Sequence, residues 1–204
     1  ELARRQDATQ PLQLDRMEHE CERLDKLVAQ LLWLALPCGS DQRSSVLVDL
    51  TDTVSQAVAD AAFESQPKKL QILWERPTRP VVVAGHSEQL NSLCENILRN
   101  ALRYSPQGGV VNVALAARRG KAVLRFADRG PGVPAAALAH LFEPFFRVDP
   151  SQAAGHASLG LGLAIAGRVA FEHGGRIRAA NRQGGGLRVF VELPLALMPH
   201  GASI

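Results

Sequence analysis

The stretch Gln89 to Tyr104 constrains this chain more than any other. Its apolar residues Ile97, Leu98, Ala101 and Leu102 recur at helical spacing. Between them fall Asn96, Asn100, Arg103 and Tyr104, which share one face of the same helix. Two carboxamides and a guanidinium do not belong in a dry core. The helix must therefore press one side on a core and turn the other toward water or a polar hollow.

A second layer is needed for that helix to pack on, and the flanking sequence supplies it. Leu70 to Trp74, Val81 to Ala84, Val110 to Ala116, Ala122 to Ala127, Arg176 to Ala180 and Leu187 to Leu193 have strand character. Arg118-Arg119-Gly120-Lys121 marks one hairpin turn and Gly184-Gly185-Gly186 another. Further helices are expected at Asp49 to Glu64, at Leu161 to Glu172 (stopped by Gly174-Gly175) and, briefly, at Pro134 to Leu141. The result from Val46 onward is an α+β fold with three helices against a sheet of about five strands.

Ahead of it, Leu24, Leu27, Val28, Leu31, Leu32 and Ala35 form the stripe of an amphipathic helix, with a break at Pro11. The expected organisation is residues 1–38 as a helical hairpin fragment, 39–45 as linker, 46–198 as the main domain and 199–204 as a tail. The opening Glu1-Leu2-Ala3-Arg4-Arg5 already has helical character, so a fragment of a longer protein is expected.

Composition narrows the function. The net charge of +3 is spread along the chain without a basic run, which argues against nucleic-acid binding. No apolar run is long enough to cross a bilayer, so direct membrane contact is not expected. Cys21, Cys38 and Cys94 are odd in number and lack metal spacing, and a reducing compartment fits them.

Four blocks carry possible chemistry. On the helix, the carboxamide oxygens of Asn96 and Asn100 suit Mg²⁺, and Arg103 suits phosphate. Asp128-Arg129-Gly130-Pro131-Gly132 follows a strand directly, so its carboxylate can accept a hydrogen bond from an exocyclic amine. Gly160-Leu161-Gly162-Leu163 opens a helix whose free N–H groups can meet phosphate. Phe142 to Ser158 is a long loop of the kind that forms lids, with Arg147 after three aromatics in five residues. Each block alone has a plain alternative, such as a wet helix face, a turn, a glycine-tolerant helix start or a hydrophobic plug.

In this order the blocks resemble those of bacterial sensor histidine kinases. ENILRNALRYSP (95–106) resembles their N box, FADRGPGVP (126–134) the G1 box, LFEPFFRVD (141–149) the F box and LGLGLAIAGRVAFEHGG (159–175) the G2 box. LDRMEHECERLDKLVAQLLWLA (14–35) is similar to the second helix of their dimerisation and phosphotransfer domain. Among family members the envelope-stress Cpx-type sensor kinases look nearest.

The resemblance implies a two-layer α/β sandwich of the Bergerat ATP-binding type, with ATP and Mg²⁺ as cofactors. It implies Asn100 as metal ligand with Asn96 beside it, and Arg103 and Tyr104 at the phosphate and ribose side. It implies Asp128 on the adenine amino group, Gly130 and Gly132 shaping that pocket, and backbone N–H groups of Gly160, Leu161, Gly162 and Leu163 at the phosphates. Arg147 would steady the γ-phosphate, and Arg103 and Arg147 are the catalytic candidates. It further implies a homodimer through the N-terminal helices, a response-regulator partner, and a place on the cytoplasmic side of a bacterial inner-membrane protein.

Two features depart from the family pattern. The H-E/D-x-x-x-P block carrying the acceptor histidine is absent from this sequence, and His19-Glu20 lacks its proline. Ala157-Ser158-Leu159 stands before Gly160 where the family often has Gly-Thr or Gly-Ser. The alternatives are an ATPase on the same fold, or a degenerate nucleotide-binding module that only docks partners.

Overall fold

The computed structural model describes residues 28, 31–35, 45–148 and 159–196. The chain divides into two compact units, Glu1–Cys38 and Gly39–Ile204. In the first, residues 28 and 31–35 are helical, and Val28 and Leu32 are exposed. The break expected at Pro11 and the tail expected from 199 lie outside the described residues.

The second unit opens with strand β1 (Val46–Asp49) and helix α1 (Leu50–Glu64). Asp49 caps α1: its Oδ1 accepts from the Thr51 N–H at 2.8 Å, and from the Val81 N–H at 3.3 Å. A 3₁₀ turn (Gln66–Lys68), β2 (Gln71–Glu75) and β3 (Val82–Gly85) follow. Helix α2 (Ser87–Tyr104) precedes the hairpin β4 (Val110–Arg118) and β5 (Lys121–Ala127). Helix α3 (Gly162–Glu172) precedes the hairpin β6 (Arg176–Asn181) and β7 (Leu187–Pro194).

The main sheet has the order β2-β4-β5-β7-β6. β2 runs parallel to β4 and all other neighbours are antiparallel. Alternate residues of the central strands are buried: Leu124 and Phe126 of β5, and Val189, Val191 and Leu193 of β7. α2 lies between α1 and α3, and all three helices pack on the sheet. Leu90, Leu93, Cys94, Ile97, Leu98, Ala101 and Leu102 form the inward stripe of α2, as its spacing required.

The opposite sheet face is polar. Arg125 Nη2 pairs with Glu75 at 3.2 Å, and Arg178 lies over the Phe190 ring at 3.9 Å. Lys121 and Arg176 both reach Glu192, and their hydrogen bonds hold its carboxyl below the usual range.

Two expectations need correction. Residues 46–49 form a strand that sequence reading did not assign, and it pairs antiparallel with β3 in a separate two-stranded sheet. The segment around Val81 to Ala84 therefore does not join the main sheet. Val46 and Leu47 are both exposed, so β1 lacks the alternation that reveals a half-buried strand. The helix expected over Pro134 to Leu141 shrinks to a 3₁₀ turn, Ala135–Ala137, followed by turns. Pro134 offers no side-chain cap from which a longer helix could start.

Candidate functional site

Helix α2 forms one edge of the site. Asn96 is half-buried and commits its Nδ2 to the Ser92 carbonyl at 2.8 Å. Its Oδ1 is left facing the start of α3, where a Cβ on Gly162 would stand 3.0 Å from it. Two turns further on, the Tyr104 carbonyl meets Gly130 so closely that a Cβ there would come within 2.5 Å of it. α2 thus borders the α3 N-terminus with Asn96 and the Asp128 loop with Tyr104. These two contacts are about 12 Å apart along the helix axis.

Asn100 lies midway between them and is half-buried. Its carboxamide has no hydrogen-bond partner among the described residues. Arg103, also half-buried, has no carboxylate partner among them and lies 5.9 Å from the Tyr104 ring centroid. Tyr104 is exposed. Lys68 donates from Nζ to the Leu102 and Arg103 carbonyls at 3.1 and 2.7 Å, which fixes the end of this edge.

Asp128 follows β5 directly and is 4% exposed. Its Oδ1 accepts from the Gly130 N–H at 2.8 Å and the Leu187 N–H at 3.1 Å. Both lone-pair directions of that oxygen are used, so the carboxylate cannot rotate freely. Oδ2 accepts no bond from a described residue. It is not sealed away, because Arg125 Nε is the only buried, partnerless side-chain polar atom among the described residues. Gly132 takes φ +74° beside Asn181.

The N-terminus of α3 forms the third wall. Its cap residue, Leu161, offers no side-chain hydrogen bond, so the first N–H groups point outward unsatisfied by a cap. Gly160, at φ +73°, sits against the backbone of Phe145 and Phe146, where a Cβ would come within 2.9 Å. The Phe145 N–H donates to the Gly160 carbonyl at 3.1 Å, joining the two ends of the long loop. Phe145 itself has φ +66°, uncommon for a residue with a side chain. Arg147 is half-buried and has no carboxylate partner among the described residues. The rest of the expected lid, 149–158, lies outside them.

α2 and α3 are also tied at the far end. His173, which ends α3, hydrogen-bonds the Val169 carbonyl through Nδ1 at 2.8 Å. Its Nε2 accepts from the His86 N–H at 3.1 Å. That arrangement needs a neutral imidazole, and partial burial lowers its pKa below the ordinary value.

The residues singled out from sequence on α2 thus adjoin the start of α3 at Asn96 and the Asp128 loop at Tyr104. Sequence reading missed Asn181 and Arg182, which hold the Asp128 loop from the β6–β7 turn. It also missed Lys68. A polar residue beside a glycine turn has no periodic signal, and only tertiary structure shows what it grips.

Comparison with known proteins identifies the family. A family model described as histidine kinase-, DNA gyrase B-, and HSP90-like ATPase matches residues 85–197. The sensor protein CutS of Streptomyces coelicolor is 40% identical over 178 residues, which cover 85% of this chain and 42% of CutS. The sensor histidine kinase CpxA of Escherichia coli K12 is 32% identical over 183 residues, covering 90% of this chain and 40% of CpxA. The chain therefore spans about two fifths of the length of these curated relatives. The solved structure of the mycobacterial sensor histidine kinase MprB superposes with a TM-score of 0.66 at 31% identity, covering 76% of this chain and 99% of that one. The sheet-and-helix sandwich, these matches and the order of the four blocks lead to one conclusion: the chain belongs to the family of histidine kinase-, DNA gyrase B- and HSP90-like ATPases, and within it to the catalytic regions of sensor histidine kinases.

Proposed function

We propose that this region binds ATP with Mg²⁺ and transfers the γ-phosphate to a histidine, for relay to a response-regulator aspartate. The observation that carries the reading is the single edge of α2. It borders a helix N-terminus at Asn96 and an amine-accepting carboxylate loop at Tyr104, with the free carboxamide of Asn100 between.

The donor set fits the metal. Mg²⁺ takes hard oxygen ligands and often keeps only one or two from protein, the others coming from water and phosphate. Asn100 Oδ1 is the oxygen we assign, with Asn96 beside it. The metal would supply charge neutralisation on the phosphates. The uncapped N–H groups at Gly160, Leu161, Gly162 and Leu163 form the phosphate cradle. Arg103 and Tyr104 flank the phosphate and ribose side, and Arg147 steadies the γ-phosphate from the lid. Asp128 Oδ2 accepts from the adenine amino group, with Gly130 and Gly132 shaping the pocket. In the transfer, the bond from γ-phosphorus to the bridging oxygen breaks, a bond to an imidazole nitrogen forms, and ADP leaves.

Transfer rather than hydrolysis suits a site whose residue nearest the start of α3 is a carboxamide, Asn96. The carboxamide of Asn96 has no basicity with which to activate water. Residues 1–38 are read as part of the dimerisation helices, so the intact protein would be a homodimer through that region. No described helix is long and apolar enough to cross a membrane. The proposed setting is the cytoplasmic side of a bacterial inner-membrane sensor.

Titration with a non-hydrolysable ATP analogue tests the reading. Binding should strengthen with Mg²⁺, and Asn100→Ala should abolish that dependence. Analogue affinity indifferent to Mg²⁺ in the unaltered chain would refute the metal assignment. A second assay supplies a separate helical hairpin bearing an acceptor histidine, and phosphate should appear on it. Release of inorganic phosphate alone would instead favour an ATPase.

A further inference from the structure

The loop carrying Asp128 is held at both ends by the β6–β7 hairpin. At the first end, the Asp128 N–H donates to the Leu187 carbonyl at 3.0 Å, and Arg182 Nη1 donates to the Asp128 carbonyl at 2.7 Å. At the second end, Asn181 uses both halves of its amide on one residue. Its Oδ1 accepts from the Val133 N–H at 3.0 Å, and its Nδ2 donates to the Val133 carbonyl at 2.6 Å. The side chain thereby replaces a strand partner for Val133. Arg182 is itself fixed, because its N–H donates to the Gly186 carbonyl at 2.9 Å. A Cβ on Gly186 would overlap the Asp128 carbonyl, so the hairpin and the loop lie in direct contact.

Neither residue is needed to close the hairpin. β6 and β7 pair from Arg176↔Glu192 to Asn181↔Leu187 through their backbones, and the Arg182–Gly186 turn bond is also backbone. The side chains of Asn181 and Arg182 are spent on the neighbouring loop instead. Between their two grips lie Gly130 and Gly132, residues with little conformational stiffness of their own. The Leu187 backbone holds Asp128 itself, while the two side-chain grips restrict the glycine-bearing stretch that follows, and without them a smaller fraction of the loop keeps the pocket in its competent shape.

We infer that Asn181 and Arg182 are positioning residues that set purine specificity, by locking the Asp128–Val133 loop so that Asp128 Oδ2 accepts from a 6-amino group and repels a 6-oxo group. This rests on the nucleotide reading above. Apparent affinity scales with the fraction of loop in the competent geometry. Loosening the clamp should therefore weaken ATP selectively, because GTP gains nothing from that geometry.

The test compares Mg²⁺-dependent binding of ATP and GTP by the whole chain and by Asn181→Ala, with folding checked by circular dichroism. The unaltered chain should prefer ATP, and Asn181→Ala should reduce that preference about tenfold, through weaker ATP binding rather than tighter GTP binding. Arg182→Met should act in the same direction, and Arg182→Lys, which can still donate to a carbonyl, should recover part of the preference. Gln183→Ala, in the same turn but outside the clamp, should match the unaltered chain. Should Asn181→Ala not fold, Asn181→Asp is read in its place, since it keeps the acceptor for the Val133 N–H and loses the donor. A general loss of folded protein weakens both nucleotides equally and leaves the ratio unchanged. An unchanged ATP-to-GTP ratio in the folded Asn181 and Arg182→Met variants overturns this inference alone. No ATP preference in the unaltered chain overturns the Asp128 assignment as well.

Discussion

Cys94 is fully enclosed on the inward stripe of α2, and burial, with a smaller contribution from Glu95, pushes its thiol pKa up to about 12. The thiolate is the reactive form. Alkylation at neutral pH should leave Cys94 unmodified in the folded chain and modify it fully in denaturant, read by peptide mass spectrometry. Labelling of native Cys94 within minutes would show that α2 opens far more readily than its packing implies. Asp128 makes the opposite use of burial. With Oδ1 held by two backbone N–H groups, Asp128→Asn would keep its oxygen on the backbone and present an NH₂ where Oδ2 was. Donor would then face donor across the adenine contact. ATP binding should weaken by about 1–3 kcal/mol, the scale of an unsatisfied buried polar group, while tripolyphosphate binding stays unchanged. Equal losses for both ligands in a calorimetric titration would remove Asp128 from the base-recognition role. Asp128 stood out in the sequence because a carboxylate directly after a strand and before G-x-G can either make a turn or accept from a ligand, and only the order of the four blocks favoured the second. Its clamp did not, since Asn181 and Arg182 lie 48 and 54 residues from the backbone groups they hold.

Among the elements, α2 and α3 illustrate how periodicity reports burial. Their apolar stripes were visible, and so was the polar edge of α2. β1 escaped notice because four residues with two exposed apolar side chains carry no period at all. The tie between α2 and α3 at His86 and His173 has a pH consequence. A neutral His173 is required in the folded state, so its pKa lies below the ordinary 6.5. The unfolded chain binds the proton more readily, and stability rises with pH wherever that holds. The contribution is therefore complete above the unfolded value and is lost as pH falls below it toward the lowered folded value. Glu172 opposes the shift and His86 reinforces it. Urea midpoints should decline on acidification below 6.5, and His173→Gln should flatten that decline. Parallel curves for the two proteins would assign the acid sensitivity to other groups.

For the molecule as a whole, ligand and fold are linked. A site built from α2, the β5–β7 side and α3 exists only when the sandwich is assembled, so nucleotide should bind the folded state alone. At free ATP near a hundred times its dissociation constant, the stabilisation is about 2.7 kcal/mol. A melting temperature raised by several degrees with ATP and Mg²⁺, and raised less in Asn100→Ala and equally with or without Mg²⁺, is the expected result of a thermal scan. A full shift in Asn100→Ala would mean that the metal plays no part in holding the nucleotide.

The hydrogen bond from Phe145 to Gly160 has a further meaning for how such a chain can change. It holds Phe145 and Gly160 together whatever the length of chain between them. Closure entropy grows only with the logarithm of length, so doubling the enclosed stretch adds roughly 0.6 kcal/mol. Insertions or deletions between these two residues would leave the sheet and helices undisturbed. Length can therefore vary between Phe145 and Gly160 at little entropic cost to the rest of the fold.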